Sequence, residues 1–206
     1  MKLTAICLGR PERLPGKSYK TGIGKMPVNA PMMIDTLGLV GDAVCNARHH
    51  GGPDQAILLE GSLTMDWWAE RLGRPVPPGM FGENLVIDGL DNRDVAAGDR
   101  FLIGEVVLEA ASPRVPCNTL AARMGDPGFA RLYAQAARPG IYCRVVRGGV
   151  LEAGQAVALQ PYAGERVGMA ELLSGLARDL SAEDRRRHLS APLGVRFRAL
   201  VEAPKR

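Results

Sequence analysis

A chain of 206 residues, 46% apolar and with 25 glycines, can bury one sizeable core, or one domain with an appendage. A net charge of +4 is modest for this length and makes nucleic acid an unexpected partner; no run approaches the roughly 18 uninterrupted apolar residues of a membrane span. The four cysteines, Cys7, Cys45, Cys117 and Cys143, are widely spaced and form no CxxC pair, which argues against a zinc finger or disulfide scaffold and for a reducing cytoplasmic compartment.

Met1-Lys2 leads directly into a strand-like run at 3–8, with no apolar leader segment before it. Arg10, Arg13, Lys17, Lys20 and Lys25 then face a single acid, Glu12, in a loop containing Gly16-Lys17-Ser18 and Gly22-Ile23-Gly24-Lys25. Such a loop can hold a small anion on cations and backbone N–H groups, or can simply be a solvated turn. It lacks the spacing of a nucleotide-binding P-loop. Residues 31–39 read as a strand closed by Gly38 and Gly41-Asp42. Arg48-His49-His50-Gly51-Gly52-Pro53-Asp54 follows as a polar loop; no second ligand pair at metal spacing makes zinc the expected answer there.

After a short strand at 55–60, Ser62 is expected to cap a helix reaching about Leu72, with Gly73 and Pro75 ending it and the tryptophans packing it on the core. Phe81-Gly82-Glu83-Asn84-Leu85 opens a strand ended by Asp88-Gly89. Gly98-Asp99 begins another, and Ile103-Gly104-Glu105 turns the chain into the apolar run 106–111. Asp126-Pro127 announces a helix to about Ala137. Strands at 141–146 and 156–159 are expected with Gly148-Gly149 as the turn between them. From Arg166 the apolar period changes to that of helices, with a capping box at Ser181 and Asp184 and a last helix at about 195–202. The pattern predicts a mostly β body with inserted helices at 1–161 and a helical tail at 162–206.

The loop Ser112-Pro113-Arg114-Val115-Pro116-Cys117-Asn118 stands out chemically. Two prolines stiffen it, and a thiol lies near a guanidinium. A neighbouring cation lowers a thiol pKa, which suits a nucleophile or a ligand for a soft metal; an inert buried cysteine has the same local sequence.

Five stretches in order, Gly16-Lys17-Ser18, Gly38-Leu39-Val40-Gly41-Asp42, His50-Gly51-Gly52-Pro53-Asp54, Phe81-Gly82-Glu83-Asn84-Leu85 and Ser112-Pro113-Arg114-Val115-Pro116-Cys117, resemble the MOSC domain found at the C terminus of molybdenum-cofactor sulfurases. Within that family the resemblance is to small stand-alone bacterial members, among them hydroxylaminopurine reductases, and it covers about residues 5–160. It implies a closed or nearly closed MOSC-type β-barrel followed by a short α-helical C-terminal tail. It also implies a pterin-bound molybdenum cofactor (molybdopterin) whose metal is held by Cys117. By the same resemblance Lys17 and Ser18 meet the cofactor phosphate, Arg48, Asn84, Ser112 and Arg114 contact phosphate or pterin, and His50 and Asp54 order the site or deliver protons.

The implied activity is reduction of small N-hydroxylated compounds: hydroxylamino-purines, amidoximes and hydroxylamines. No flavin, haem or iron–sulfur motif is visible, so separate electron-donor proteins are expected. The alternative is a carrier of persulfide sulfur, or of the cofactor, using the same cysteine. The basic tail could cover the pocket, form a homodimer contact or receive electrons from a partner.

Overall fold

The computed structural model describes residues 1–203. Among them the strands are β1 (Lys2–Gly9), β2 (Lys25–Val28), β3 (Met32–Asp35), β4 (Gly38–Leu39), β5 (Ile57–Gly61), β6 (Leu85–Asp88), β7 (Arg100–Ile103), β8 (Val106–Pro113), β9 (Ile141–Arg147), β10 (Gly149–Leu151) and β11 (Val157–Gln160). The helices are α1 (Ser62–Leu72), α2 (Asn118–Met124), α3 (Phe129–Gln135), α4 (Met169–Gly175), α5 (Ala182–Ser190) and α6 (Val195–Glu202). No described helix is long and apolar enough to cross a membrane.

Eight strands form one mixed sheet in the order β11-β7-β8-β9-β5-β6-β1-β2, and β10-β3-β4 form a small second sheet. The pairings in the large sheet are antiparallel except β5 with β6, where Leu59 lies opposite Leu85. Parallel neighbours need a crossover, and α1 provides it. The sheet does not close into the expected barrel. Near one end the contact back to β1 is a single bridge, Lys2 to Ala156, with backbone bonds such as Leu3 N–H to Gln155 O at 2.9 Å. The fold is therefore a sheet-dominated mixed structure with six helices among the described residues, not a continuous ring of ladders.

Most expected strands occur where their β-branched and apolar runs lie, but local chemistry altered several. The segment 31–39 is two strands, because Asp35 Oδ1 accepts from Leu37 N–H at 2.8 Å and turns the chain between them. Gly148-Gly149 is no simple turn: Gly149 pairs with Ile34, so β10 is inserted between β9 and β11. Ser62 lies inside α1 behind an N-cap at Gly61, and its Oγ accepts from Gly89 N–H at 3.0 Å. Asp126 Oδ1 accepts from Gly128 N–H at 2.7 Å, so α3 starts after it. The seven-residue helix α2 was not expected from the sequence.

The tail does not stand apart. Val167, Met169, Leu172, Leu193, Phe197 and Val201 join the same buried cluster as Ile57, Phe101 and Ile141 of the sheet. Ser181 Oγ accepts from Asp184 N–H at 3.0 Å, as the capping box requires. The arginines of α5 are not merely solvated: Arg187 pairs with Glu165 and Glu171, and Arg185 donates to the Val201 carbonyl.

Candidate functional site

A cavity of about 810 Å³ opens where β8 ends and four other segments converge on it. Its lining takes Arg114 and Cys117 from the stiff loop, His50 and Cys45 from the polar loop, Lys20 and Lys25 from the basic loop, and Arg196 and Leu200 from α6. Asn84 and Tyr142 come from the sheet side.

Cys117 is the N-cap of α2 and is partly buried. Burial by itself raises its thiol pKa, but the His50 hydrogen bond, the Arg114 charge and the backbone N–H groups of Leu120 and Thr119 outweigh it, leaving the pKa lowered to about 6. Cys117 is therefore a thiolate at neutral pH, whereas burial pushes Cys7 up to about 12 and Cys143 well above the ordinary thiol range. Among the described residues no group of three or more His, Cys, Asp or Glu could hold a metal ion, so a metal here would take one thiolate from the chain and its other donors from a bound group.

Arg114 is buried, donates to the Phe81 carbonyl and lies with its guanidinium carbon 5.9 Å from the Tyr133 ring centroid. Behind it, Trp68, Phe81, Phe129 and Tyr133 pack together, with Trp68 and Tyr133 stacked at 5.6 Å. Two fully buried carboxyls share this region. Glu83 accepts from Gly79 N–H at 2.5 Å and Phe81 N–H at 3.0 Å, which shapes the turn of the Phe81-Gly82-Glu83-Asn84 stretch. Glu60 accepts from Asn92 Nδ2 at 2.5 Å and Tyr133 O–H at 3.2 Å. Desolvation, helped by the Glu83 charge, raises the Glu60 pKa to about 8.

On another wall Asp42 gathers three donors: Gly9 N–H at 2.7 Å, Asn84 Nδ2 at 2.9 Å and the buried Lys25 ammonium. Asn84 also accepts from Leu58 N–H at 3.1 Å, tying β5 to the strands beside it. Gly22 allows the basic loop to lie against this wall, since a Cβ there would meet the Ala43 carbonyl oxygen at 2.1 Å.

The structure thus brings Cys117, His50, Arg48, Asn84 and Arg114 to one cavity and leaves four expected residues outside its lining. Lys17 sits in a turn donating its N–H to Leu14 O, and Ser18 is exposed; Lys20 and Lys25 are the basic-loop cations at the cavity. Ser112 is buried in β8 opposite Tyr142. Asp54 binds Arg144 Nε at 2.9 Å and Val195 N–H at 2.8 Å, holding the start of α6. Ser112 and Asp54 both line a second cavity of about 360 Å³. Asp42, Cys45, Tyr142 and Arg196 were missed as site residues. Asp42 carried a signal, its place in the Gly41-Asp42 turn; nothing local marks the other three.

The fold and cavity define a class. The family model described as the MOSC domain matches residues 46–158, more than half of the chain. The uncharacterized protein YflK of Bacillus subtilis is 34% identical over 152 residues, covering 73% of this chain and 69% of that protein. The crystal structure of YiiM from Geobacillus stearothermophilus superposes with a TM-score of 0.81 at 28% identity, covering 98% of this chain and 97% of that one. A protein of Gibberella moniliformis named reductase is 29% identical over 153 residues, 71% of this chain but 27% of that larger protein. This chain belongs to the MOSC domain family.

Proposed function

We propose that the 810 Å³ cavity holds a molybdenum cofactor through the Cys117 thiolate and that the protein reduces small N-hydroxylated compounds. The observation that carries this reading is a thiol held as thiolate, its pKa lowered to about 6, inside a wide cavity with a basic rim. The donor set fits the group. A soft thiolate suits a metal already chelated by dithiolene sulfurs, and Lys20 and Arg48 offer positive charge to a phosphate. When bound, the cofactor supplies two-electron redox chemistry at molybdenum.

The chain's own residues do the rest. Arg114 and the Leu120 and Thr119 amides keep negative charge on the Cys117 sulfur. His50 lines the same cavity as Cys117 and is the side chain we assign to pass a proton to a departing hydroxyl oxygen. Reduction of an N–OH group consumes two electrons and two protons, breaks the N–O bond and yields the N–H compound and water. The electrons come from separate donor proteins. Similarity to the named reductase supports the redox reading.

The test is turnover of an amidoxime and a hydroxylaminopurine by protein from a cofactor-competent host, with a reduced dye as electron source. The parent is expected to convert at least one of them, and Cys117→Ala neither. Equal turnover by Cys117→Ala overturns the reading. A sulfur adduct on Cys117 in molybdenum-free protein would replace it with sulfur carriage.

A further inference from the structure

We propose that the second cavity, of about 360 Å³, is a binding site for a small neutral molecule carrying an amide-type group on an apolar body. It lies between the turn at Gly52-Pro53-Asp54 and the start of α6, and it shares Gly51, Gln55, Arg196 and Phe197 with the larger cavity. The end of β8 runs between the two. Ser112 lines the second cavity and Pro113 the larger one, as neighbours in an extended strand face opposite sides. The β8–β9 register slips between Ala110 and Ser112, an irregularity of the kind that re-aims a side chain.

Ser112 is 1% exposed, yet its hydroxyl has no hydrogen-bond partner among the described residues. A buried hydroxyl in that state, facing a cavity, calls for a polar group from outside the chain. Two further polar groups face the same space. Gln55 Oε1 accepts from Arg196 at 3.2 Å, which leaves the Gln55 Nε2 hydrogens free to donate. Asp54 accepts from Arg144 Nε at 2.9 Å and from Val195 N–H at 2.8 Å, one bond on each oxygen, so its carboxylate can accept again. The close packing behind it is built in: a Cβ at Gly194 would meet Asp54 Cβ at 2.9 Å, and Gly194 N–H bonds to Ala111 O at 2.8 Å. The other walls are apolar, from Pro53, Val195 and Phe197. An apolar cavity with a few convergent polar groups, at the small end of the range of about 300–1,000 Å³, is the usual form of a small-molecule site. Donors and acceptors side by side match an amide. Arg144 meets the Asp54 charge, so the cavity does not call for a cation, and the same carboxylate disfavours an anion.

This site needs neither molybdenum nor Cys117, so it stands or falls apart from N-hydroxy reduction. The probe is benzamide, titrated into the ¹⁵N-labelled 206-residue chain and followed through backbone and side-chain amide signals. Saturable shifts are expected at Gly52, at Val195 and at the Gln55 side-chain amide. Ser112→Ala is expected to weaken benzamide binding by about fivefold, the loss of one hydrogen bond. Toluene, which lacks the amide, and benzoate, which carries a charge, are expected to bind at least about fivefold more weakly than benzamide. Shifts that never saturate overturn the proposal, as do shifts centred on Val115 and Cys117 of the larger cavity. Equal benzamide binding by Ser112→Ala, or toluene or benzoate bound as tightly as benzamide, also overturns it. The spectrum of unliganded Ser112→Ala checks its fold, and should it not fold, Gln55→Ala decides by the same comparison.

Discussion

Replacing His50 by alanine isolates the largest of the interactions that hold Cys117 ionised. A thiol whose pKa falls from 9.0 to about 6 has its thiolate favoured by about 4 kcal/mol. A hydrogen bond to a charged group contributes about 1.5–3 kcal/mol, or one to two pKa units, so His50→Ala should bring the midpoint to about 7–8. The remaining depression belongs to Arg114 and the amides of Thr119 and Leu120. Thiolate ultraviolet absorbance, titrated in a Cys45→Ser background, reads the midpoint directly. Stability moves with it. The folded pKa lies below the unfolded one, so this group's contribution is fully present above pH 9.0 and is lost as pH falls through about 6. A parent midpoint at the ordinary thiol value, or a His50→Ala midpoint unchanged from the parent's, would refute the reasoning.

Two further substitutions test the polar groups around the cavity. Glu60 has the opposite sign: its folded pKa of about 8 exceeds the ordinary 4.5, so between those values the folded chain keeps a proton that the unfolded chain has released, and stability falls as pH rises. Glu60→Gln should flatten that fall, and urea midpoints from about pH 5 to about pH 8 that decline as steeply as the parent's would contradict it. Asp42→Ala leaves the buried Lys25 ammonium without its carboxylate and frees Gly9 N–H, and should cost about 3–5 kcal/mol in urea unfolding. A loss below about 1 kcal/mol would mean that the pair is solvated.

The sequence was readable where a residue's role is local. The apolar run of β8, the capping box at Ser181 and the period of the tail helices follow from side-chain chemistry within a few positions, and the structure has them there. Helix α2 was obscured because the prolines at 113 and 116 argue for an irregular loop, although Leu120, Ala121 and Met124 share a buried face and Gly125 ends the helix in the left-handed region. The cavity residues split the same way. Cys117, Arg114 and His50 declare themselves by residue type in short stretches. Lys17 and Ser18 looked equivalent to Lys20 and Lys25, and only the packing of the basic loop against Ala43 and Asp42 separates them. Arg196 resembles any surface arginine of an amphipathic helix until the fold lays it across Ala47 and Gly51. Closure of the sheet likewise depends on register between β1 and the segment entering β11, far apart in sequence, which alternation within single strands does not specify.

The central claim is that Cys117 is the protein's ligand to a molybdenum cofactor, and metal and pterin content tests it most directly. Parent protein and Cys117→Ala would be purified side by side from a cofactor-competent host, with folding of the variant checked by circular dichroism. The account predicts near-stoichiometric molybdenum with pterin fluorescence in the parent and loss of molybdenum in the variant. Molybdenum retained in full by Cys117→Ala, or absent from both proteins, would contradict it.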